Sequence, residues 1–339
     1  MTHMFRTDSF LSRFLFRFSA ISAAIFTLAC AVAAQTCSTG AELDAATKSA
    51  IDSAARQYLD MSKNGDVAGL KANAIPQITG DFSAIEQAVV TNKQYLADGP
   101  ATVTGTYLLD ASEAKAPLPR AEFYCGIYNS QNHEAFFIPN LPPGRYAIAI
   151  QKINGKDPIT LSLVLQNVGG AWKLAGFYPQ LNLVAGHDQD WYLTKAREFK
   201  AKGQLHNAWF YYLTAWELAA PVSFMGTPQR DKMDDEMQGV RPGDLPSDKA
   251  PLMLSANGKT FQITELAAVP VESNLDLRVR YENPEAANSG PAYRDNMAVI
   301  KAIVAKYPEV RDGFSAVIVR AIDSSGHEYG SLLAMKDVK

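Results

Sequence analysis

Between residues 38 and 99 the apolar positions recur with the helical period. Ile51, Ala54, Ala55, Tyr58 and Leu59 fall at i, i+3, i+4, i+7 and i+8, one face of an amphipathic helix. Thr39-Gly40-Ala41-Glu42 ahead of them has the capping-box pattern, in which Thr accepts from a backbone N–H and Glu reaches back. Asn64-Gly65 supplies a left-handed stop, and Asp66 is placed to cap a short second helix. A third helix is expected from about Asp81 to Gly99, with Ile85, Ala88, Val89 and Leu96 turned inward. The period then changes to two. Segments 102–110, 121–128, 134–139 and 144–153 are short, rich in β-branched and aromatic residues, and separated by Pro, Gly or Asn. The clearest alternation is Ile159, Leu161, Leu163 and Leu165 against Thr160, Ser162 and Gln166. Val168-Gly169-Gly170-Ala171 then turns the chain into a paired strand carrying Trp172, Leu174 and Phe177. Helices followed by an antiparallel sheet predict an α+β domain over residues 38–180.

Residues 188–221 return to the helical period as a two-helix hairpin about Gly203. Tyr192, Ala196 and Phe199 precede that glycine; Ala208, Tyr212 and Ala215 follow it, and Pro221 closes the second helix. Small residues where the helices cross allow close approach, and the aromatics fill the flanks. Residues 222–258 read as a linker or long surface loop, Pro-rich and carrying the charged run Arg230-Asp231-Lys232-Met233-Asp234-Asp235-Glu236. A second α+β unit of ββαββ order is expected over 259–339. Phe261 and Ile263 begin its first strand. Leu275, Leu277, Val279 and Tyr281 alternate with Asp276, Arg278 and Arg280 in the next, which implies a solvated second face. Met297, Ile300, Val304 and Tyr307 form a helix face ending at Pro308. Phe314 to Ile322 is apolar on both faces, as a strand inside a sheet is.

The order of elements over 38–180 resembles the NTF2-like (cystatin-like) superfamily, in which helices pack on a curved antiparallel sheet to form a cone. The hairpin Leu161-Ser162-Leu163-Val164-Leu165 through Gly169-Gly170-Ala171-Trp172-Lys173-Leu174-Ala175-Gly176-Phe177 carries most of that resemblance. The helix pair resembles a single tetratricopeptide (TPR) repeat, with Lys195 where the repeat usually has Leu. Both resemblances imply architecture rather than activity.

Arg6, Arg13 and Arg17, an apolar run from Phe18 to Ala34, and Val32-Ala33-Ala34 before Gln35 give residues 1–34 the form of a secretory signal. A periplasmic or secreted protein follows. Membrane attachment is expected only through a retained signal anchor or through lipidation of Cys30, since Thr27-Leu28-Ala29-Cys30 resembles a bacterial lipoprotein box. Cleavage removes those three arginines and Asp8, which takes the net charge of the 339-residue chain from −3 to −5. The remaining pair, Cys37 and Cys125, is expected to form a disulfide in an oxidising compartment. A composition 47% hydrophobic and 20% charged excludes a disordered chain, and the acidic balance excludes nucleic acid as a partner.

Signature chemistry is sparse. The chain contains no GxSxG, GxxxxGK[ST], HExxH, GxGxxG or CxxC. His187-Asp188-Gln189-Asp190 is expected to cap a helix rather than hold a metal. The acidic run from Asp231 to Glu236 lacks the alternating carboxylates and central Gly of a Ca²⁺ loop. His133 and Glu134, near Tyr124 and Tyr128, are the catalytic candidates. Adjacent strand residues point to opposite faces, however, so only one of His133 and Glu134 can face inward. Trp209, Phe210, Tyr211, Tyr212 and Trp216 cover all sides of one helix and belong mostly to a core, leaving Trp209 and Trp216 as candidate partner contacts. No cofactor or metal is expected. The sequence points to a non-enzymatic binding or scaffolding protein of the bacterial envelope, holding a protein partner or small ligand. The rival is a hydrolase or isomerase with a pocket inside the NTF2-like cone.

Overall fold

A computed structural model describes residues 35–127 and 133–339. The expected signal over 1–34, Cys30 and Tyr128 lie outside the described residues. The chain opens with β1 (Thr36–Thr39), α1 (Ala45–Asn64), α2 (Val67–Ala72), α3 (Pro76–Thr79) and α4 (Ser83–Ala97). Strands β2 (Ala101–Asp110), β3 (Leu118–Cys125), β4 (Glu134–Leu141), β5 (Arg145–Ile153), β6 (Ile159–Val168) and β7 (Ala171–Leu181) follow. Helices α5 (Gln189–Ala201) and α6 (Leu205–Leu218), the short strand β8 (Met225–Gly226) and α7 (Pro228–Gln238) come next. The chain ends with β9 (Leu252–Ala256), β10 (Lys259–Val271), β11 (Asn274–Glu282), α8 (Ser289–Lys306), α9 (Val310–Gly313), β12 (Ala316–Ile322) and β13 (Glu328–Ala334). The fold is α+β.

Helix α1 starts later than its capping box suggests. Thr39 is committed to β1, paired with Tyr107, so its extended backbone cannot begin a helix. Glu42 still accepts from Thr39 N–H at 2.7 Å, but this closes a turn. Asp44 is the N-cap, accepting from Thr47 N–H at 2.9 Å, and Gly65 ends the helix at φ 70°. Asp66 caps α2 through Gly69 N–H at 2.8 Å.

The first sheet has the order β1-β2-β5-β6-β7, all antiparallel. Ile159, Leu161, Leu163 and Leu165 of β6 are sealed against Ile51, Leu59, Val89 and Leu96 of α1 and α4. The alternation puts Thr160, Ser162 and Gln166 on the other face. That face is covered too: a second sheet, β3-β4-β8, brings Phe123 and Phe136 against Tyr107, Ile148 and Val164, and Ser162 is fully buried. Cys37 and Cys125 are bridged, tying the edge strand β1 to β3 across a sequence separation of 88. Closing so long a loop stabilises by roughly 4–5 kcal/mol through the unfolded chain.

Helices α5 and α6 form the expected hairpin, with Tyr192, Ala196, Ala208, Tyr212 and Ala215 fully buried between and beside them. The stretch 222–258, expected as a linker, instead contains α7. Thr227 caps it, accepting from Arg230 N–H at 3.2 Å, and Pro228 occupies the first turn, where its missing N–H costs nothing. Arg230, Met233 and Met237 fall on one helical face and are buried.

The last sheet has the order β13-β12-β11-β10-β9, with β11 and β12 parallel across α8 and the other pairs antiparallel. It exceeds the expected ββαββ by β9, which joins β10 through Asn257-Gly258 at φ 50° and 75°. Asp276, expected to face solvent, is 2% exposed; burial raises its carboxyl above the ordinary range, offset only in part by a backbone hydrogen bond from Ala316. The core of this half is continuous with the helix hairpin: Phe210 and Tyr211 meet Phe314, and His206 bridges Glu309 at 2.8 Å and Asp244 at 2.9 Å.

Candidate functional site

The catalytic candidates are not all brought to one place. Cys125 pairs with Glu134 and Tyr124 with Ala135, so Glu134 and Tyr124 occupy opposite faces of the β3–β4 hairpin. Tyr124 is exposed, donates to Glu122 at 3.0 Å and packs edge-on against Phe137. Glu134 is half-buried at the start of β4 and accepts from the Tyr107 hydroxyl. Burial raises the Glu134 carboxyl above its ordinary value, and the neighbouring charge of His133 and the Tyr107 bond only partly offset this. Burial and the Glu134 charge push Tyr107 up to about 12. Glu134 borders two cavities, one of 340 Å³ toward Lys48 and Thr106, the other of 500 Å³ toward Arg197 and Glu236.

The remaining candidates act within the fold. Asp188 caps α5 through Trp191 N–H at 3.0 Å, and His187 stacks on Trp191 with centroids 3.7 Å apart. Glu236, in the acidic run, receives a forked pair of bonds from Arg197 at 2.9 and 2.6 Å and one from Tyr212 at 2.8 Å. Trp209 and Trp216 are partly buried, each with a guanidinium over its ring, Arg241 at 5.7 Å and Arg230 at 3.9 Å. Among the described residues no three His, Cys, Asp or Glu side chains converge to hold a metal ion. No described helix is long and apolar enough to cross a membrane.

A further opening lies elsewhere, a 660 Å³ cleft where the sheet of the first half meets the helix hairpin and the β10–β11 turn. Apolar side chains line it, among them Pro158, Leu181, Leu183, Val184, Leu218 and Pro270, with Trp216 and Tyr95. Two tight turns contribute to it, and both place a non-glycine residue in the left-handed region: Ala185 at φ 48° and Glu272 at φ 53°. Among the described residues the other two of this kind, Asn140 and Asn257, are of a type that tolerates this backbone. Left-handed Ala and Glu each cost about 1–2 kcal/mol, so the strain of this kind is concentrated at the cleft.

Charge at the cleft is one-sided. Asp157, Glu217 and Glu272 are exposed there, and Arg230 is the single cation among the described lining residues. Arg230 is 3% exposed, and burial lowers its guanidinium to about 10. It donates to the carbonyls of Trp216 at 3.0 Å, Val222 at 3.1 Å and Met225 at 2.7 Å. It therefore ties the last turn of α6 to the segment 222–225 that follows it. Desolvation raises the Glu217 carboxyl, with Arg230 lowering it in part. Sequence reasoning left Arg230 in a linker or surface loop; the sign it missed was Thr227-Pro228 followed by Arg230, Met233 and Met237 at helical spacing. Comparison with protein-family models, with curated proteins and with solved structures found no match, so the site rests on its own geometry.

Proposed function

We propose that this chain is an exported, non-enzymatic binding or scaffolding protein of the bacterial envelope, and that a small ligand occupies the 660 Å³ cleft. The cleft carries the proposal: its volume is that of small-molecule sites, its lining is mostly apolar, and a few polar groups converge on it. The Cys37–Cys125 bridge supports an oxidising compartment, in keeping with a cleaved leader over 1–34. The finer architecture we propose is an NTF2-like layer followed by a TPR-like helix pair. Its support is the run of helices into an antiparallel sheet and the buried Ala196, Ala208 and Ala215 of the hairpin. A hydrolase or isomerase is the second reading, favoured by the raised carboxyl of Glu134 beside two cavities. Against chemistry inside the cone, both faces of the first sheet are packed with apolar side chains.

The test is a small-molecule fragment screen by thermal shift, repeated on Leu181→Trp, which fills the cleft from a side chain already 37% exposed. Fragments that raise the wild-type Tm are expected to lose that effect in Leu181→Trp. Equal shifts in both proteins would place binding elsewhere.

A further inference from the structure

We infer that the ligand of this cleft is an organic cation, an ammonium group carried on an apolar body. This rests on the cleft being a ligand site. Two features of the lining specify the class. The apolar stretch formed by Leu181, Leu183, Val184 and Leu218 offers no hydrogen bonds from its side chains, so it selects a hydrocarbon or aromatic body. Around it stand three carboxylates, Asp157, Glu217 and Glu272, from the β5–β6 turn, the end of α6 and the β10–β11 turn. Three separate segments thus deliver the same charge to one opening.

The one lining cation balances them only in part: Arg230 acts on Glu217 through its charge, and the carboxylates still outnumber it three to one. Arg230 turns its donors to the carbonyls of Trp216, Val222, Ser223 and Met225 and sets its guanidinium carbon 3.9 Å from the Trp216 ring centroid, an arrangement that holds α6 and α7 together. An anionic ligand would meet three carboxylates with no uncommitted guanidinium to receive it. A neutral ligand would gain the apolar contact and bonds to Tyr95, Gln180 or Ser223, but would leave the excess negative charge unanswered. An ammonium gains that contact and also pairs with carboxylates that the lining leaves in excess.

Three probes that share one body separate these cases: 4-phenylbutylamine, 4-phenylbutan-1-ol and 4-phenylbutanoate, titrated by calorimetry into the full chain at low and high ionic strength. The amine is expected to bind about tenfold tighter than the alcohol at low salt, the carboxylate more weakly than both, and the amine's advantage to shrink at high salt. In Glu217→Gln/Glu272→Gln, two exposed positions whose replacement leaves the core untouched, amine and alcohol are expected to converge while alcohol binding is unchanged. Equal binding of amine and alcohol to wild type, lost in Leu181→Trp, would overturn the cationic class and leave the cleft as a ligand site. Tighter binding of the carboxylate would overturn it too. No binding of any of the three would overturn both the class and the site.

Discussion

Two glutamates border the 500 Å³ cavity and are shifted in opposite directions. Glu236 is held below the ordinary carboxylate value, first by hydrogen bonds from Arg197, with Tyr212 adding to them against burial. Its contribution to stability is present above pH 4.5, its unfolded value, and is lost as pH falls through the lower folded value. Glu134 is raised by burial, so in the window just above pH 4.5 the folded chain binds a proton that the unfolded chain has released. Stability then falls as pH rises through that window, and the penalty stays in full at neutral pH. Glu134→Gln removes the titrating group but keeps an oxygen to accept from Tyr107. It is expected to raise Tm at neutral pH by on the order of one or two degrees, and to leave it unchanged or lower at pH 4. Thermal denaturation of both proteins at the two pH values checks this; a gain of equal size at both would mean that the carboxyl's titration plays no part.

The junction of α6 with α7 depends on one side chain that comes from the second helix. Replacing Arg230 with Met keeps the apolar bulk over Trp216 but strips donors from the carbonyls of Trp216, Val222 and Met225. The Trp216 and Val222 carbonyls keep bonds from the Ala219 and Met225 N–H groups, so the Met225 carbonyl is the one left open. A buried open acceptor costs about 1–3 kcal/mol, and Arg230→Met is expected to destabilise by roughly that much in urea unfolding. Arg230→Lys should recover only part, since an ammonium cannot reproduce the planar fork. A loss below about 1 kcal/mol would show the carbonyls to be solvated. Elements with dense periodicity were legible in the sequence: the face of α1, the alternation of β6 and the alanines of the hairpin all stand where the spacing puts them. Helix α7 was not, because six charged residues within Arg230–Glu236 mask an apolar face made of only Met233 and Met237. Strand β9 was missed although Asn257-Gly258 is a hairpin signal, because Leu252 and Leu254 alone make too short an alternation. Glu134 stood out in the sequence, whereas its partner Tyr107 comes from another strand. Tyr95, Asp157, Gln180, Glu217 and Glu272 are scattered over the chain and form no local pattern, so the cleft exists only once the fold brings them together.

At the scale of the whole molecule, the boundary that the sequence suggests near residue 180 is crossed a second time. After the helix hairpin, Ala220, Val222 and Met225 enter the core beneath the first sheet, beside Phe123, Phe136 and Ile148. Gly226 and Met225 pair with Ala135 and Phe136, Phe137 N–H donates to the Phe224 carbonyl at 2.9 Å, and Ser162 donates to the Pro221 carbonyl at 3.4 Å. A few residues later Arg230 ties this segment to α6, while Met233 and Met237 join the core shared with the last sheet. The segment 220–237 is therefore common to both cores, and a loss in one should be felt in the other. Met225→Ala removes a side chain 5% exposed and should cost about 2–5 kcal/mol. Native-state hydrogen exchange is expected to show the protected amides of β5 and of β12 losing the same free energy, since both open only with the whole unit. Loss of protection in β5 with β12 untouched would mean independently folding halves. The cleft, whose walls include β7 on one side and the β10–β11 turn on the other, keeps a fixed shape only if the two halves open together.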